Sequence, residues 1–484
     1  MSELSSTLPP LPSYINGAWS LPATSIAVFE AINPATEEPC ARVALCGPDD
    51  VDRAMHAARA AFDGYSALPL EERLALVEKL IAVFEARYDE MVTAISTEMG
   101  APYDLSYNAQ AECGPGHLKE TVKAAREMVW ERPLGGRGRL VHEAVGVCAL
   151  ITPWNWPINQ LAAKIGPALV AGCTMVLKPS EIAPLSAQLF AEFIHEAGFP
   201  AGVFNMVHGT GPGIGDALTS HPEADMVSFT GSTRAGIQVA KSAAETVKRV
   251  SQELGGKSAN VVFADAGLEA AVTRGVRHCF GNSGQSCNAP TRMLVEASAY
   301  DEAVAIAKKV AESVKLGDPM EKGPHIGPVV SKVHYDKIQR LIEAGIAEGA
   351  QLVTGGPGRA DGFERGYYVK PTVFAGVNNQ MTIAREEIFG PVLAMIPFKD
   401  EAEAIEIAND TPYGLAGYVQ SGDQERARRV ARRIRAGSVY VNGAGQDYCS
   451  PFGGYKQSGN GREWGEFGLH DFLEIKVING FEAA

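Results

Sequence analysis

The stretch MVSFTGSTRAG at residues 226–236 decides the predicted fold, because an apolar run passes through a glycine turn into a helical pattern. Residues 226–229 are predicted to form a buried strand. The Gly-Ser-Thr-x-x-Gly turn that begins at Gly231 offers backbone N–H groups at a helix N-terminus, which suits a phosphate. It departs from the usual glycine-rich dinucleotide fingerprint, so on its own it does not identify a ligand.

The same alternation of short apolar runs and longer amphipathic runs continues on both sides of this stretch. Strands are predicted at 145–149, 174–177, 203–207 and 261–263. Helices are predicted at 70–87, 183–197 and 268–280. Strands that alternate with helices in this way indicate an α/β fold with parallel sheets.

The alternation is interrupted twice. Residues 124–144 are charged and glycine-rich and end in an alternating stretch, which predicts a projecting hairpin. Residues 471–478 predict a further short strand near the C-terminus. This strand either pairs with another subunit or is an ordinary edge strand.

Composition excludes several classes of partner. The 484 residues carry 43 basic and 57 acidic side chains, and the net charge of −14 disfavours nucleic acid and anionic membrane surfaces. The eight cysteines show neither C-x-x-C spacing nor a zinc-ligand pattern, so we predict no metal site. The longest apolar run, 165–177, is too short to span a bilayer, and residues 1–11 do not resemble a signal peptide. We therefore expect a soluble, cytoplasmic protein.

Three segments contain side chains suited to acyl chemistry. Cys287 lies in a small, polar, turn-prone segment, and is either a structural thiol or a nucleophile. Glu253 precedes two glycines, and is either a solvated carboxylate at the end of an element or a base. Asn155 lies at the centre of Pro153-Trp154-Asn155-Trp156-Pro157. Its amide either packs in an aromatic turn or donates to a developing oxyanion.

These motifs, in this order, resemble the aldehyde dehydrogenase superfamily. The resemblance runs from Tyr14-Ile15-Asn16-Gly17 to PFGGYKQSG at 451–459, and Gly-Gln-x-Cys together with Glu-Leu-Gly-Gly-Lys makes it specific. It implies oxidation of an aldehyde to the carboxylic acid with reduction of NAD. It also implies a Rossmann-like NAD-binding domain (1–123 and 145–255), a second α/β catalytic domain (256–457) and a small β oligomerisation arm (124–144 and 458–484).

The resemblance also implies roles for individual residues. Cys287 is the nucleophile, Glu253 is the general base, and Asn155 with the Cys287 backbone N–H forms the oxyanion hole. Glu463 is a second carboxylate behind the base that relays protons. The implied cofactor contacts are Trp154, Lys178, Ser180, Glu181, Gly211, Gly215, Gly231, Ser232, Leu254, Glu387 and Phe389. Asn442 and Lys456 match positions that line or support the site.

Several alternatives stay open at this stage. Relatives that pass the acyl group to coenzyme A generally lack the counterpart of Glu253, so this residue favours hydrolysis. A catalytically inactive structural protein on the same fold is disfavoured by the intact set of Asn155, Glu253 and Cys287. Glu181 favours NAD, with NADP as the weaker alternative, because a carboxylate repels a 2′-phosphate. The assembly is expected to be a homotetramer, as a dimer of dimers, or a homodimer.

Two further expectations concern the entrance and the subunit contact. Polar or small residues near the nucleophile predict a wide, polar entrance for an aldehyde that the sequence does not name. These residues are Ser286, Asn288, Ala163, Asp447 and Tyr448. Arg249 and Arg462 match family positions that pair with Glu474, which predicts a salt bridge at a dimer contact.

Overall fold

The structure is a computed structural model that describes residues 8–23, 27–135 and 137–481. The interpretation of the N-terminus rests partly on residues 1–7, and the predicted hairpin includes Gly136. Both lie outside the described residues. Among the described helices, none is both long enough and apolar enough to cross a membrane.

The N-terminal part begins with short strands and continues with helices. The strands are β1 (Pro10–Leu11), β2 (Ser13–Ile15), β3 (Ala18–Ser20), β4 (Val28–Asn33) and β5 (Glu38–Ala44). The helices are α1 (Pro48–Ser66), α2 (Leu70–Ala86), α3 (Tyr88–Met99), α4 (Tyr103–Leu105) and α5 (Cys113–Glu127). A π-helical turn, Ser106–Gln110, separates α4 from α5.

The middle part begins with the hairpin and continues with alternating strands and helices. The strands are β6 (Glu131–Leu134), β7 (Gly138–Ala144), β8 (Val147–Ile151), β9 (Thr174–Lys178), β10 (Phe204–Met206), β11 (Met226–Thr230) and β12 (Arg249–Glu253). The helices are α6 (Pro157–Ala171), α7 (Pro184–Ala197), α8 (Gly211–Thr219) and α9 (Thr233–Ala243).

The C-terminal half repeats the alternation and then ends in a short helix and a strand. The strands are β13 (Ala259–Val262), β14 (Arg292–Glu296), β15 (Lys315–Leu316), β16 (His325–Ile326), β17 (Gln351–Thr354), β18 (Thr372–Ala375), β19 (Val392–Phe398), β20 (Ala416–Gln420), β21 (Ser438–Val441), β22 (Gly459–Asn460) and β23 (Leu473–Asn479). The helices are α10 (Leu268–Phe280), α11 (Tyr300–Ser313), α12 (Lys332–Ala347), α13 (Thr382–Arg385), α14 (Glu401–Asn409), α15 (Gln424–Arg433) and α16 (Gly465–Asp471).

Two large sheets organise these elements, as the predicted α/β fold requires. The first has eight strands in the order β22-β12-β11-β8-β9-β10-β2-β3, and β12 to β10 in this order are parallel. The chain builds outward from β8 to β10 on one side and from β11 to β12 on the other. The strand order therefore reverses between β8 and β11, where open α/β sheets bind ligands beyond the carboxyl ends of the strands.

The second sheet has seven strands in the order β17-β18-β19-β14-β13-β20-β21. Its strand order reverses between the parallel strands β13 and β20, so this sheet has a switch point of its own. Each sheet is covered by helices and has its own buried apolar side chains. The predicted boundary at 255/256 falls between β12 of the first sheet and β13 of the second.

The predicted strands and helices agree with the observed ones to within two residues at each end. The largest shift is in β8, which begins at Val147 instead of 145. Gly146 has φ +129°, a conformation that side chains disfavour, and the turn it makes separates β7 from β8.

The hairpin and the tail differ from the prediction in their extent. Helix α5 continues to Glu127, so the hairpin consists of β6 and β7 alone. Strand β23 pairs antiparallel with β7, which gives a three-stranded arm in the order β23-β7-β6. Residues 458–472 do not join this arm, because β22 pairs with β12 and α16 packs on α5 and α6.

The predicted intersubunit salt bridge forms within one chain. Arg249 Nη2 lies 2.6 Å from Glu474 Oε1, and Arg249 Nη1 donates to the carbonyl oxygens of Asp471 and Leu473. Arg462 instead donates to the backbone carbonyls of Gly454 and Gly461. The antiparallel pairing of β23 with β7 brings Glu474 beside its own Arg249, so the pair ties the arm to the first sheet.

Candidate active site

A cavity of about 200 Å³ opens where the ends of β8, β11 and β12 meet the loop that contains Cys287, called the nucleophile loop after its predicted role. Its walls include nine of the predicted site residues, from both halves of the chain. These are Trp154, Asn155, Gly231, Ser232, Glu253, Leu254, Cys287, Glu387 and Phe389. The reversal of strand order between β8 and β11 places the first four of them at one edge of the sheet.

Cys287 follows a tight turn at the end of α10. Asn282 and Ser283, with φ of +52° and +55°, turn the backbone back toward the cavity. The Cys287 side chain is half-buried, and burial is the main cause that raises the pKa of its thiol. Glu387 and Glu253 raise this pKa further, while the backbone amides of Cys287 and Asn288 lower it. The raised pKa favours the protonated thiol over the thiolate.

Asn155 is held in one orientation at the end of the loop after β8. Its Nδ2 atom donates to the Gln285 carbonyl over 3.0 Å, and its side chain is buried. A carbonyl can only accept, so the bond fixes which end of the amide points to the nucleophile loop. The second N–H of the amide makes no further hydrogen bond among the described residues.

Glu253 ends β12, and its carboxylate is buried. Neither carboxylate oxygen has a hydrogen-bond partner among the described residues. Burial raises the pKa of this carboxyl group well above its ordinary value, and the negative charge of Glu463 adds to the effect. A Cβ at Gly453 would lie 2.5 Å from Glu253 Oε1, so only glycine leaves room for the carboxylate there.

Glu463 lies behind Glu253 and does not line the cavity. It is buried and forms an ion pair of 2.5 Å with Lys164 Nζ, which also donates to Ser228 Oγ over 2.8 Å. Lys164 opposes the effect of Glu463 on the pKa of Glu253. The charges of this cluster are therefore coupled.

Lys178 and Glu181 lie together at the end of β9. Lys178 Nζ donates to the Pro179 carbonyl over 2.9 Å and lies 3.3 Å from Glu181 Oε2. Burial lowers the pKa of Lys178, and Glu181 partly offsets this. Ser180 Oγ accepts from the Ile182 backbone. Glu181 lines a second cavity of about 730 Å³, which shares Trp154 with the first.

The turn after β11 has the predicted form. Ser232 is the N-cap of α9 and accepts from the Ala235 backbone over 3.3 Å. The Gly231 backbone donates to the Glu253 carbonyl, and the Leu254 backbone donates to Ser458. Gly211 and Gly215 lie on α8 outside the cavity walls, where an added Cβ would meet no atom within 4 Å.

Glu387 and Phe389 form the wall contributed by the second half of the chain. Glu387 Oε1 accepts from the Gly256 backbone over 2.9 Å, and a Cβ at Gly255 would lie 2.4 Å from Glu387 Oε2. The Phe389 ring meets Trp154 edge-on, with the centroids 5.6 Å apart.

Three residues of the cavity walls lie outside every motif that the sequence suggested: Gln160, His334 and Lys337. His334 Nε2 bonds to the Phe389 carbonyl over 2.7 Å, and Lys337 Nζ donates to the Glu387 carbonyl over 2.8 Å. The two residues lie on α12, whose ordinary amphipathic pattern gives no functional signal.

Asn442 and Lys456 support loops and do not line the cavity. Asn442 bonds to both the backbone N–H and the carbonyl of Ser421. Lys456 Nζ donates to the carbonyls of Asn409 and Thr411. Both residues have positive φ, so each stabilises a turn.

Ser286, Ala163 and Tyr448 are more enclosed by neighbouring side chains than the predicted wide, polar entrance requires. Ser286 Oγ accepts from Trp156 Nε1 over 2.8 Å, and Ala163 is buried. The Tyr448 ring packs against His117, with the centroids 4.7 Å apart, and fills the space next to Gly116. None of Ser286, Ala163 and Tyr448 lines the cavity that contains Cys287.

One surface group could hold a metal ion among the described residues: Asp52, His56 and His221. His221 Nδ1 accepts from the Glu223 backbone over 3.2 Å, so the ring proton of neutral His221 lies on Nε2, which faces Asp52. In this tautomer His221 Nε2 donates a hydrogen bond to Asp52. None of the three residues lines the cavity.

Comparison with known proteins identifies the class that this fold and site define. The aldehyde dehydrogenase family matches residues 21–478. A 3-succinoylsemialdehyde-pyridine dehydrogenase from a Pseudomonas species is 54% identical over 472 residues, 97% of this chain and 98% of that protein. The chain therefore belongs to the aldehyde dehydrogenase family, and the resemblance stated from the motifs is confirmed.

Solved structures confirm the fold. An aldehyde dehydrogenase from Bartonella henselae is 53% identical and superposes with a TM-score of 0.96 over 98% of this chain and 100% of that chain. Aldehyde dehydrogenase C from Pseudomonas syringae, solved as a mutant with NAD+ and octanal, is 48% identical with a TM-score of 0.95 over 98% and 97%.

The effect of Glu387 on the nucleophile can be tested by alkylation. We expect Glu387→Gln to move the pH of half-maximal Cys287 alkylation by iodoacetamide to a lower value, because it removes a negative charge that raises the thiol pKa. Glutamine can still accept from the Gly256 backbone. Mass spectrometry of peptides resolves the rate at Cys287, and exposed Cys449 is the internal control. An unchanged profile at Cys287 would contradict the electrostatic assignment.

Proposed function

We propose that Cys287, Glu253 and Asn155 carry out the oxidation of an aldehyde to its carboxylic acid. The observation that carries the proposal is that a thiol, a buried carboxylate without a hydrogen-bond partner among the described residues and an oriented amide meet in one cavity. Each group supplies one of the functions that acyl chemistry needs: a nucleophile, a base and an oxyanion donor.

The reaction begins at the thiol. Glu253 or a water takes the thiol proton, and the Cys287 thiolate attacks the aldehyde carbon to form a thiohemiacetal. The free N–H of Asn155 and the Cys287 backbone N–H stabilise the alkoxide oxygen. NAD, when bound, supplies the hydride acceptor that allows this carbon to become a thioester.

Glu253 then acts on water. It removes a proton from the water molecule that attacks the thioester, and the carboxylic acid leaves as Cys287 recovers its proton. A raised pKa suits this role, because a base is most effective when its pKa lies near the working pH. A proton that Glu253 has taken from the thiol leaves before this step, and Glu463 is its acceptor through a bound water, because Glu253 has no direct hydrogen-bond partner among the described residues.

NAD is the cofactor, and its binding residues extend along both cavities. Lys178, Ser180 and Glu181 hold the adenosine ribose, and the turn at Gly231 and Ser232 with Leu254 holds the pyrophosphate. Gly211 and Gly215 support this region from α8. Trp154, Glu387 and Phe389 hold the nicotinamide half. Trp154 lines both cavities and Glu181 lines the second, which supports an elongated ligand that spans them.

The three parts of the chain have separate roles in the proposal. Residues 1–123 and 145–255, with 458–472 packed on them, form the NAD-binding domain. Residues 256–457 form the catalytic domain, which carries Cys287 and also contributes Glu387 and Phe389 to the nicotinamide half of the site. The arm of β6, β7 and β23 joins subunits into a homodimer, or into a homotetramer of two dimers. Exposed Ile475 and Val477 on the outer strand β23 support this role.

We propose a cytoplasmic location, which the thiol chemistry supports. All eight cysteines are free thiols, including the proposed nucleophile. A reducing compartment keeps thiols in this state.

Replacing the base separates the two chemical steps. We expect Glu253→Gln to retain a burst of about one NADH per active site and then to turn over ~10²–10⁴-fold more slowly, because general-base assistance is lost at deacylation. Cys287→Ala should abolish both the burst and any esterase activity. Stopped-flow absorbance measures the burst. Its absence in Glu253→Gln with NAD still bound would assign Glu253 to thiol activation instead.

Glu181 sets the cofactor preference. We expect Glu181→Gln to narrow the ratio of kcat/KM with NAD to kcat/KM with NADP by about tenfold, equivalent to about 1.4 kcal/mol, because a carboxylate repels the 2′-phosphate. Steady-state kinetics with both cofactors measure the ratio. Wild-type preference for NADP would contradict the assignment, and so would an unchanged ratio in the variant.

The arm can be tested by charge insertion. We expect Ile475→Glu to shift the protein toward smaller species, because Ile475 is 64% exposed on the arm and a buried charge at an interface is costly. Val247→Glu is the matched control, since Val247 is 90% exposed outside the arm. Sedimentation velocity measures the assembly. Identical sedimentation of Ile475→Glu and wild type would rule out the arm at the subunit contact.

A further inference from the structure

A buried network of amides joins the loop of Asn155 to the loop of Cys287. Asn282 Nδ2 donates to the Asn155 carbonyl over 3.0 Å and to the Gln285 carbonyl over 3.2 Å. The Gln285 carbonyl also accepts the side chain of Asn155. Gln285 itself is held by bonds from its Nε2 to the Asn282 carbonyl and from the Val330 backbone to its Oε1.

Gln110 reaches this network from a distant part of the chain. It ends the π-helical turn, in which the Ala111 backbone donates to the Ser106 carbonyl over 2.9 Å. A π-helical turn carries one more residue than an α-helical turn, and this re-aims the side chains that follow. Gln110 is 1% exposed, and its Nε2 lies 2.9 Å from Asn282 Oδ1 and 3.5 Å from the Asn155 carbonyl.

The direction of every bond in the network is fixed by chemistry. Two backbone carbonyls can only accept, so they require Asn282 to present Nδ2 to them. Asn282 Oδ1 must then face Gln110, and Gln110 must donate. A side chain that cannot donate would leave Asn282 Oδ1 without a partner, or would favour a flip of the amide that releases both carbonyls.

The cost of Gln110 argues that it is more than a packing residue. Its Oε1 is buried without a partner among the described residues, apart from any bound water. An unpaired buried polar atom is destabilising, and an apolar side chain of similar size would avoid that cost. The Nε2 atom also lies 3.3 Å from Met99 Sδ, a weak acceptor, so the Asn282 bond is its main polar contact.

We propose that Gln110 is a positioning residue for the oxyanion hole: acting through Asn282, it fixes the Asn155 loop against the nucleophile loop. The proposal rests on the role of Asn155 as oxyanion donor given above. It extends the machinery of the reaction to a helical segment that does not line the cavity.

A double-mutant cycle tests the proposal. We expect Gln110→Met to lower kcat/KM for the aldehyde by about tenfold with unchanged Kd for NAD, since loss of a whole oxyanion donor costs ~10²–10³-fold. In the Asn155→Ala background the same substitution should have little further effect, because its target has been removed. Multiplicative losses in the double variant would overturn the proposal.

The single variants keep the two hypotheses apart. Wild-type kcat/KM in Asn155→Ala would refute the oxyanion role itself, whereas loss in Asn155→Ala with multiplicative effects of Gln110→Met refutes only the positioning role. Gln188→Met is the matched control, because Gln188 is a buried glutamine on α7 outside the cavity walls. It should leave kcat/KM unchanged, and equal losses from both glutamine variants would indicate a general packing effect.

A second variant covers the case in which Gln110→Met does not fold. Gln110→Glu preserves the shape of the side chain, and only the protonated carboxyl group can donate to Asn282. We expect the ratio of its kcat/KM to that of wild type to rise as pH falls. A ratio that is independent of pH would contradict the need for a donor at this position.

Discussion

The hydrogen bond from Asn155 Nδ2 to the Gln285 carbonyl is the contact on which the candidate site depends. It joins the loop after β8 of the eight-stranded sheet to the loop that precedes Cys287. The two sheets have separate cores, so without such contacts the proposed oxyanion donor and nucleophile would move independently. Catalysis of this kind needs donors held within about 0.5 Å of the productive geometry, and buried amides bonded to backbone carbonyls hold the loops more rigidly than flexible charged groups would.

Buried charge is the second constraint on this aldehyde dehydrogenase. Glu253, Glu463 and Lys164 are all buried, and only Glu463 and Lys164 are paired with each other. An unpaired buried carboxylate favours its neutral form. Burial and the charge of Glu463 therefore raise the proton affinity of Glu253. The glycines at 255 and 453 leave the space in which the two cavity carboxylates, Glu387 and Glu253, fit. The two glycines therefore provide the space that the two buried carboxylates need.

The sequence predicted the parallel α/β sheets, because apolar runs and turn signals are local properties. The nine residues that meet in the first cavity were predicted through the resemblance to the aldehyde dehydrogenase superfamily, and several of them meet because their motifs lie at the ends of parallel strands. The sequence could not predict Gln110, His334 or Lys337, because their roles depend on a π-helical turn or on packing between distant helices. The ion pair of Arg249 with Glu474 was predicted between subunits, but it forms within one chain. Sequence matching gives the partners of a salt bridge but not whether they belong to one chain.

The two edges of the eight-stranded sheet come from the two ends of the chain: β2 and β3 lie at one edge, and β22 lies at the other. Strand β22 holds Gln252 and Glu253 in register, and α16 covers the helices beneath. During synthesis on the ribosome, β12 and Glu253 are complete more than two hundred residues before β22, the later of the two neighbouring strands, emerges. Strand β12 therefore keeps one unpaired edge while more than two hundred residues are added, and the Glu253 carboxylate is enclosed only after Gly453 and Glu463 have emerged.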